Sequence, residues 1–349
     1  MPHGIFSKLK TAAVATLLGA GVATAPIAAQ PATPELRVLT HSAFVVPKPL
    51  LKQFEKENGV KLRIVKAGDA GEMLNKLILT KANPIADVVF GIDNALAPKA
   101  LAADVLDSTG AAAAGREPLA DLPAPLVPVD YGYVTLNVDK AWFAKKGLAP
   151  PASLEDLTQS AYAKLLVVQN PATSSPGYAF LLSTIATLGE DKAFEFWGKL
   201  RANGVKVSKG WTEAYYTDFS RNGGKYPIVV SYASSPAAEL FYSKTKLSEP
   251  PTASLSLAGA VFRQVEGVAV VKGGKQRAAA DKFVDFMRSG PVQAGLQTEM
   301  WMFPAEAGVA KSDAFRFAPE PAAFSAPADA DIAAKGADWL ARWTKVVLK

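Results

Sequence analysis

The 349-residue chain contains no cysteine. That absence excludes disulfides, thiolate nucleophiles, cysteine metal ligands and lipid attachment at an N-terminal cysteine. Such a chain can fold whatever the redox poise of its surroundings. Histidine is nearly as scarce, with His3 and His41 the two in the chain. No GxSxG elbow, Walker loop or HExxH pair occurs. An enzyme built on this chain would have to work with carboxylates, and no spacing singles out a carboxylate pair. Charge is sparse as well: charged residues make up 20 % and the net charge is +6. Without a run of five like charges, the sequence gives no sign of a nucleic-acid surface. The apolar content of 49 % is that of an ordinary soluble globular protein.

The first thirty residues differ from the rest. Lys8 and Lys10 precede the small apolar run 11–29, which ends in Ile27-Ala28-Ala29, and no acid occurs before Glu35. These are the marks of a secretory signal peptide over 1–29, with cleavage after Ala29. A membrane anchor is the competing reading. The run is short for a span and is interrupted by Gly19, Gly21 and Pro26. Removal of the segment takes away two lysines and no acid, which lowers the net charge to about +4. No second hydrophobic span follows, so the expected mature protein is soluble and periplasmic.

Beyond residue 33, short β-rich runs alternate with helical patterns. Strands are expected at 36–40, 60–66, 86–91, 164–168 and 227–232. Helices are expected at 47–58, 70–80, 94–103, 176–188, 191–203 and 275–288. In the second of these, Met73, Leu74, Leu77 and Ile78 have helical spacing. Such alternation means an α/β fold with a largely parallel sheet. Two longer strand-like runs, 127–138 and 258–271, have the length to cross between two domains. The end, 328–349, is an amphipathic helix with Trp339, Trp343 and Val347 on the stripe that docks. The Pro/Ala-rich stretches at 149–151 and 317–327 read as surface loops.

Candidate binding residues gather at expected strand ends, where open α/β sheets hold ligands. Thr173-Ser174-Ser175-Pro176-Gly177 and Ala233-Ser234-Ser235-Pro236-Ala237 each follow a strand and open a helix. Serine caps helices and proline fits the first helical position, so both segments are complete as structural devices. A helix start also offers free N–H donors to an anion. Asp69, with Glu72 three residues on, has capping-box spacing. Its carboxylate could equally face an amino-bearing or cationic ligand. Trp211, Tyr215, Tyr216, Tyr232 and Trp301 punctuate the expected loop ends and would suit a flat ring or a cation.

Six segments, in this order, carry a resemblance: ADVVFGIDN at 86–94, VDYGY at 129–133, QNPATSSPG at 169–177, KGWTEAY at 209–215, VSYASSP at 230–236 and MWMFP at 300–304. Together they resemble the thiamine-binding periplasmic proteins, within the two-lobed solute-binding proteins of ABC uptake systems. The resemblance implies a type II periplasmic-binding-protein fold, two α/β lobes joined by two crossing strands, with ligand in the cleft. It places lobe 1 at 30–131 and 262–302, and lobe 2 at 132–261 and 303–349. It implies a monomeric binding protein, not an enzyme, that needs no cofactor or metal and delivers thiamine, or thiamine mono- and diphosphate, to a membrane permease and its ATPase. The implied contacts are Asp69, Ala70, Ser174, Ser175, Trp211, Tyr232, Ala233, Ser234, Ser235 and Trp301. His41 joins them where the family commonly has tyrosine; Ser42 stands at a common acid and Ala238 at a common tyrosine. Ferric-binding relatives hold iron with adjacent tyrosines, so Tyr215-Tyr216 raises ferric iron as the alternative cargo.

Overall fold

The computed structural model describes residues 33–108, 119 and 121–349; the expected signal peptide lies outside the described residues. Among the described residues eleven strands form one curled sheet. They are β1 (Glu35–Thr40), β2 (Lys61–Lys66), β3 (Val88–Asp93), β4 (Leu106–Asp107), β5 (Val127–Asp139), β6 (Leu166–Gln169), β7 (Lys206–Ser208), β8 (Ile228–Tyr232), β9 (Thr252–Leu255), β10 (Phe262–Val271) and β11 (Phe303–Pro304). The order along the sheet is β2-β1-β3-β10-β5-β8-β6-β7, with β4 on β10 and both β9 and β11 on β5.

Each end of the sheet is parallel and its centre antiparallel. β1 pairs in parallel with β2 and β3, and β6 pairs in parallel with β7 and β8. β10 runs antiparallel to β3 and to β5, and β5 antiparallel to β8. The 13-residue β5 links the two ends: its first half, to Val134, lies on β10, and its second half, from Val134, lies on β8. Twelve of its residues are buried, polar Asp130, Thr135, Asn137 and Asp139 among them, so β5 shows no in–out alternation, as expected for a strand covered on both faces. The expected strand 258–271 begins later, at Phe262, because Ala258-Gly259 turn instead; Gly259 takes φ 79°, which a side chain would resist.

Helices cover both faces: α1 (Lys48–Asn58), α2 (Ala70–Leu79), α3 (Ala97–Ala102), α4 (Lys140–Lys146), α5 (Ser175–Leu188), α6 (Glu190–Ala202), α7 (Trp211–Glu213), α8 (Ser235–Phe241), α9 (Arg277–Met287), α10 (Gly290–Glu299) and α11 (Asp329–Trp343). α5 is buried all round from Ser175 to Ile185, which explains its weak amphipathicity. α11 carries Ile332, Trp339 and Trp343 inward, followed by Val347. Trp343 meets Trp197 of α6 edge-on at 5.5 Å, and both rings are fully buried. Arg342 pairs with Glu190 and Asp191 at the rim of this contact.

Trp343→Ala is therefore expected to cost about 3–5 kcal/mol of unfolding free energy, the usual range for emptying a buried tryptophan site. Urea denaturation checks it; a loss under about 1 kcal/mol would mean that the terminal helix does not anchor on α6.

Candidate functional site

A cleft of about 650 Å³ opens where the C-terminal ends of β1, β2 and β8 converge with β10. Its walls hold His41, Asp69, Ser175, Trp211, Tyr232, Ser234, Ser235 and Trp301, eight of the eleven candidates from the sequence. The other three, Ala70, Ser174 and Ala233, lie behind the wall and are almost completely buried. The N–H of Ala70 is taken by the Asp69 carboxylate and that of Ala233 by the Tyr133 carbonyl.

Asp69 is the N-cap of α2, as expected, and its Oδ1 accepts from the Ala70 N–H at 2.8 Å. Its Oδ2 accepts from the N–H of Trp211 at 2.8 Å, 142 residues away. The capping box does not form, because Glu72 turns outward to Lys209 at 2.9 Å and Lys76 at 3.3 Å. The hydrogen bond from Lys209, then that from Lys76, pulls the Glu72 carboxyl below its ordinary pKa. The Glu72 N–H donates to the Thr173 carbonyl at 3.0 Å. Gly71 makes this approach possible, since a Cβ there would sit 2.8 Å from the Thr173 backbone carbon. The start of α2 thus touches both the loop before α5 and the loop before α7.

The serine-rich helix starts behave differently from simple caps. Ser174 and Ser234 occupy the N-cap positions of α5 and α8, but neither side chain makes a capping bond. The buried Ser174 hydroxyl has no hydrogen-bond partner. Ser235 Oγ sits 2.8 Å from Ser231 Oγ and accepts from the Tyr232 N–H at 3.3 Å. Ser231 in turn accepts the indole N–H of Trp211 at 2.8 Å. The hydroxyls therefore fix the Trp211 ring instead of ending helices.

Aromatic rings line both sides of the cleft. Trp211 stacks on Tyr215 at 5.1 Å with 21° between planes, and Tyr216 and Tyr232 meet it edge-on. The Tyr232 hydroxyl donates to Gln264 at 3.1 Å. Opposite, Trp301 stacks on Phe315 at 5.9 Å and is edged by Phe241 and Tyr242. Trp301 has φ 61°, the left-handed region that non-glycine residues seldom adopt. Surrounding rings hold it there, and it is 8 % exposed, more core than loop tip. Tyr242, 60 % exposed, lies one turn beyond Ala238 and lines the cleft with it; its hydroxyl donates to the Thr298 carbonyl at 2.7 Å.

The floor is acidic. His41 Nε2 lies 3.3 Å from Glu266 of β10. Gly91 makes room for the imidazole: a Cβ there would come within 2.3 Å of it. Burial would lower the His41 pKa, but the charge of Glu266 and its hydrogen bond outweigh burial and leave it raised. Glu266, Glu239 and Tyr242 escaped the sequence reading. Glu266 sits in an apolar strand pattern, where only the pairing of β10 with its neighbours shows that it faces a cleft. Tyr215 is buried, with its hydroxyl on Glu239 at 3.1 Å. Burial and then Glu239 push its phenol well above the ordinary pKa. Among the described residues no group of three or more His, Cys, Asp or Glu side chains is placed to hold a metal ion.

Comparison with known proteins places the chain among periplasmic binding proteins. The chain is 33 % identical over 329 residues to the thiamine-binding periplasmic protein of Escherichia coli, covering 93 % of this chain and 96 % of that one. The thiamine-binding periplasmic protein of Haemophilus influenzae is 29 % identical over 245 residues, 68 % of each chain. A solved periplasmic thiamin binding protein superposes with a TM-score of 0.79 at 31 % identity, covering 90 % of this chain and 96 % of that one. A ferric binding protein from Campylobacter jejuni superposes at 0.70 with 20 % identity, covering 89 % and 99 %, a likeness of fold alone. The architecture is the two-lobed type II periplasmic-binding-protein fold. Residues 83–335 match the model of one family, and the chain belongs to it: the bacterial extracellular solute-binding proteins.

Proposed function

We propose that this protein captures thiamine in the periplasm and hands it to the membrane permease and ATPase of an ABC importer, without catalysis. The observation that carries the reading is a cleft with tryptophan and tyrosine rings on two walls and carboxylates at its edge and floor. Its volume is that of a small-molecule site. Thiamine is a flat aminopyrimidine joined to a permanently cationic thiazolium ring, with a short hydroxyethyl tail. Trp211 and Trp301 offer faces and edges to the rings, and cation–π attraction adds about 0.5–2 kcal/mol per contact. Asp69 keeps lone pairs beyond the two that it has committed, and these can accept from the aminopyrimidine. The start of α5, with Ser175 on the wall and the unpartnered Ser174 hydroxyl behind it, suits the hydroxyethyl end or its mono- and diphosphate. Ferric iron is the weaker reading, since Tyr215 is stacked and bonded to Glu239.

The lobes divide at β5 and β10. Asp69 and Trp301 come from the lobe built on β1–β3, and Ser175, Trp211 and Tyr232 from the lobe built on β6–β8. A ligand touching both lobes binds their closed arrangement better than the open one and shifts the population toward it. A permease then distinguishes loaded from empty protein by shape. The protein is proposed to work as a monomer.

Calorimetric titration tests the assignment: thiamine should bind at one site per chain. Trp211→Ala and Trp301→Ala should each weaken binding by about 1–3 kcal/mol. Trp211→Ala should barely change the melting temperature of the free protein. Trp301→Ala should lower it, because that ring is packed among Phe241, Tyr242 and Phe315. Wild-type affinity in both variants would assign the tryptophans to packing. Asp69→Ala removes a helix cap and an inter-lobe bond and should cost about 1–2 kcal/mol of stability as well as affinity, whereas Asp69→Asn keeps the cap and should lose mainly affinity. Intact binding in both variants, with stability lowered by Asp69→Ala and kept by Asp69→Asn, would leave Asp69 as a cap alone.

A further inference from the structure

Four acids line the cleft: Asp69, Glu239, Glu266 and Glu299. Three are committed or peripheral. Both Asp69 oxygens accept from backbone N–H groups. Glu239 accepts from Tyr215 and Arg221. Glu299 is exposed at the rim. Glu266 is buried at the floor, 4 % exposed, and pairs with His41 at 3.3 Å.

Glu266 does not stand alone. On one side it lies opposite Asp93 of β3, and on the other opposite Asp130 of β5. Both pairings shift register beside it, at Gly267, and such bulges re-aim side chains. Three carboxyls therefore follow one another across three adjacent strands, an arrangement that mutual repulsion disfavours if all are charged. Asp93 and Asp130 are fully buried. Asp93 Oδ1 accepts from the Leu96 N–H at 2.8 Å, but Oδ2 and both oxygens of Asp130 have no hydrogen-bond donor. The facing groups from the other packed elements are few. They are His41 at the end of β1, Asp69 before α2, Lys66 at the end of β2, Tyr232 of β8 and Tyr178 of α5. The ammonium of Lys66 is held on the Ser42 carbonyl at 3.0 Å. Among the described residues the basic side chain in contact with the row is His41, whose Nε2 lies 3.3 Å from Glu266.

We infer that the cleft floor is a proton-exchanging cation subsite: Glu266, backed by Asp130 and Asp93 and flanked by His41, meets the positive charge of the ligand, and a proton held by this cluster leaves as the cation arrives. The inference rests on the thiamine reading and locates where its charge is recognised. The balance is simple: protonated cluster plus ligand cation gives the complex plus one proton, up to full exchange. Burial, then the neighbouring Glu266 charge, supports it, since together they hold Asp130 protonated well above the usual carboxyl range. Burial moves Asp93 to about 7, with Glu266 adding to the rise, so part of the exchange falls near neutrality. A cation beside Glu266 opposes each of these upward shifts and also that of His41, so every group in the row changes in the same sense.

The test is calorimetry of the wild-type protein with thiamine at pH 6, 7 and 8, each in two buffers of different ionisation enthalpy. The uncharged thiophene analogue of thiamine, which keeps the aminopyrimidine, is titrated alongside. Proton release is expected with thiamine and not with the analogue. Affinity for thiamine should be about tenfold tighter at pH 8 than at pH 6, as release of about half a proton across that window requires. Glu266→Gln should lose affinity for thiamine while keeping that for the analogue, and Asp130→Asn should flatten the pH profile. Equal heats in both buffers with a pH-independent affinity would overturn the exchange and leave thiamine binding standing. Equal proton release with the analogue would also overturn it, by assigning the protons to lobe closure. No thiamine binding at any pH would overturn the functional reading and this one together.

Discussion

The pairing of β5 with β10 is the constraint on which the rest depends. The two strands run antiparallel from Phe262 opposite Val134 to Val268 opposite Val127. β3 adds to the outer side of β10, and β8 to the far half of β5. Each parallel end of the sheet is therefore attached through one long antiparallel seam. Strand ends that would otherwise lie far apart meet above that seam, bringing His41 from β1, Tyr232 from β8 and Glu266 from β10 to one cleft. A seam of two strands is stiff along its length and can still bend across it, as a hinge must. The same seam carries the buried carboxyl row, so the charges of the floor lie on the two strands that are proposed to act as the hinge.

Around this seam the protein contacts itself across the cleft with few bonds. Asp69 reaches the Trp211 backbone, Glu72 reaches Lys209 and the Thr173 carbonyl, and Tyr242 reaches the Thr298 carbonyl. The Glu72–Lys209 pair is largely solvated and contributes at most about 1 kcal/mol. A few such bonds are each worth about 0.5–1.5 kcal/mol. Buried contacts away from the cleft include the tryptophan pair of α6 and α11 and the Arg288–Glu306 ion pair.

Much of this was legible in the sequence, for reasons specific to each element. Alternating strand and helix patterns located β1, β2, α2, β6, α5, α6 and β8 to within a few residues. Periodicity there is set by one buried face and shows in the residue order. The 13-residue β5 announced itself by length. Short strands such as β4, β9 and β11 did not, because two to four residues carry no period and exist only through their partners. Asp69, Trp211 and Tyr232 were visible because polar or aromatic residues at strand ends have few structural duties. Glu266 and Asp130 were hidden inside apolar strands, where their meaning comes from neighbours on other strands. Both serine helix starts lie where the sequence puts them, but neither N-cap serine caps its helix, and the Ser235 hydroxyl supports the Trp211 ring through Ser231.

The central claim is that the cleft selects thiamine. Native mass spectrometry of the mature protein offered equimolar thiamine, thiamine monophosphate and ferric citrate tests it in one spectrum. The account predicts a single adduct of one thiamine or thiamine monophosphate per chain, with no iron retained. A ferric adduct, or bare protein at ligand concentrations that saturate ordinary binding proteins, would contradict it.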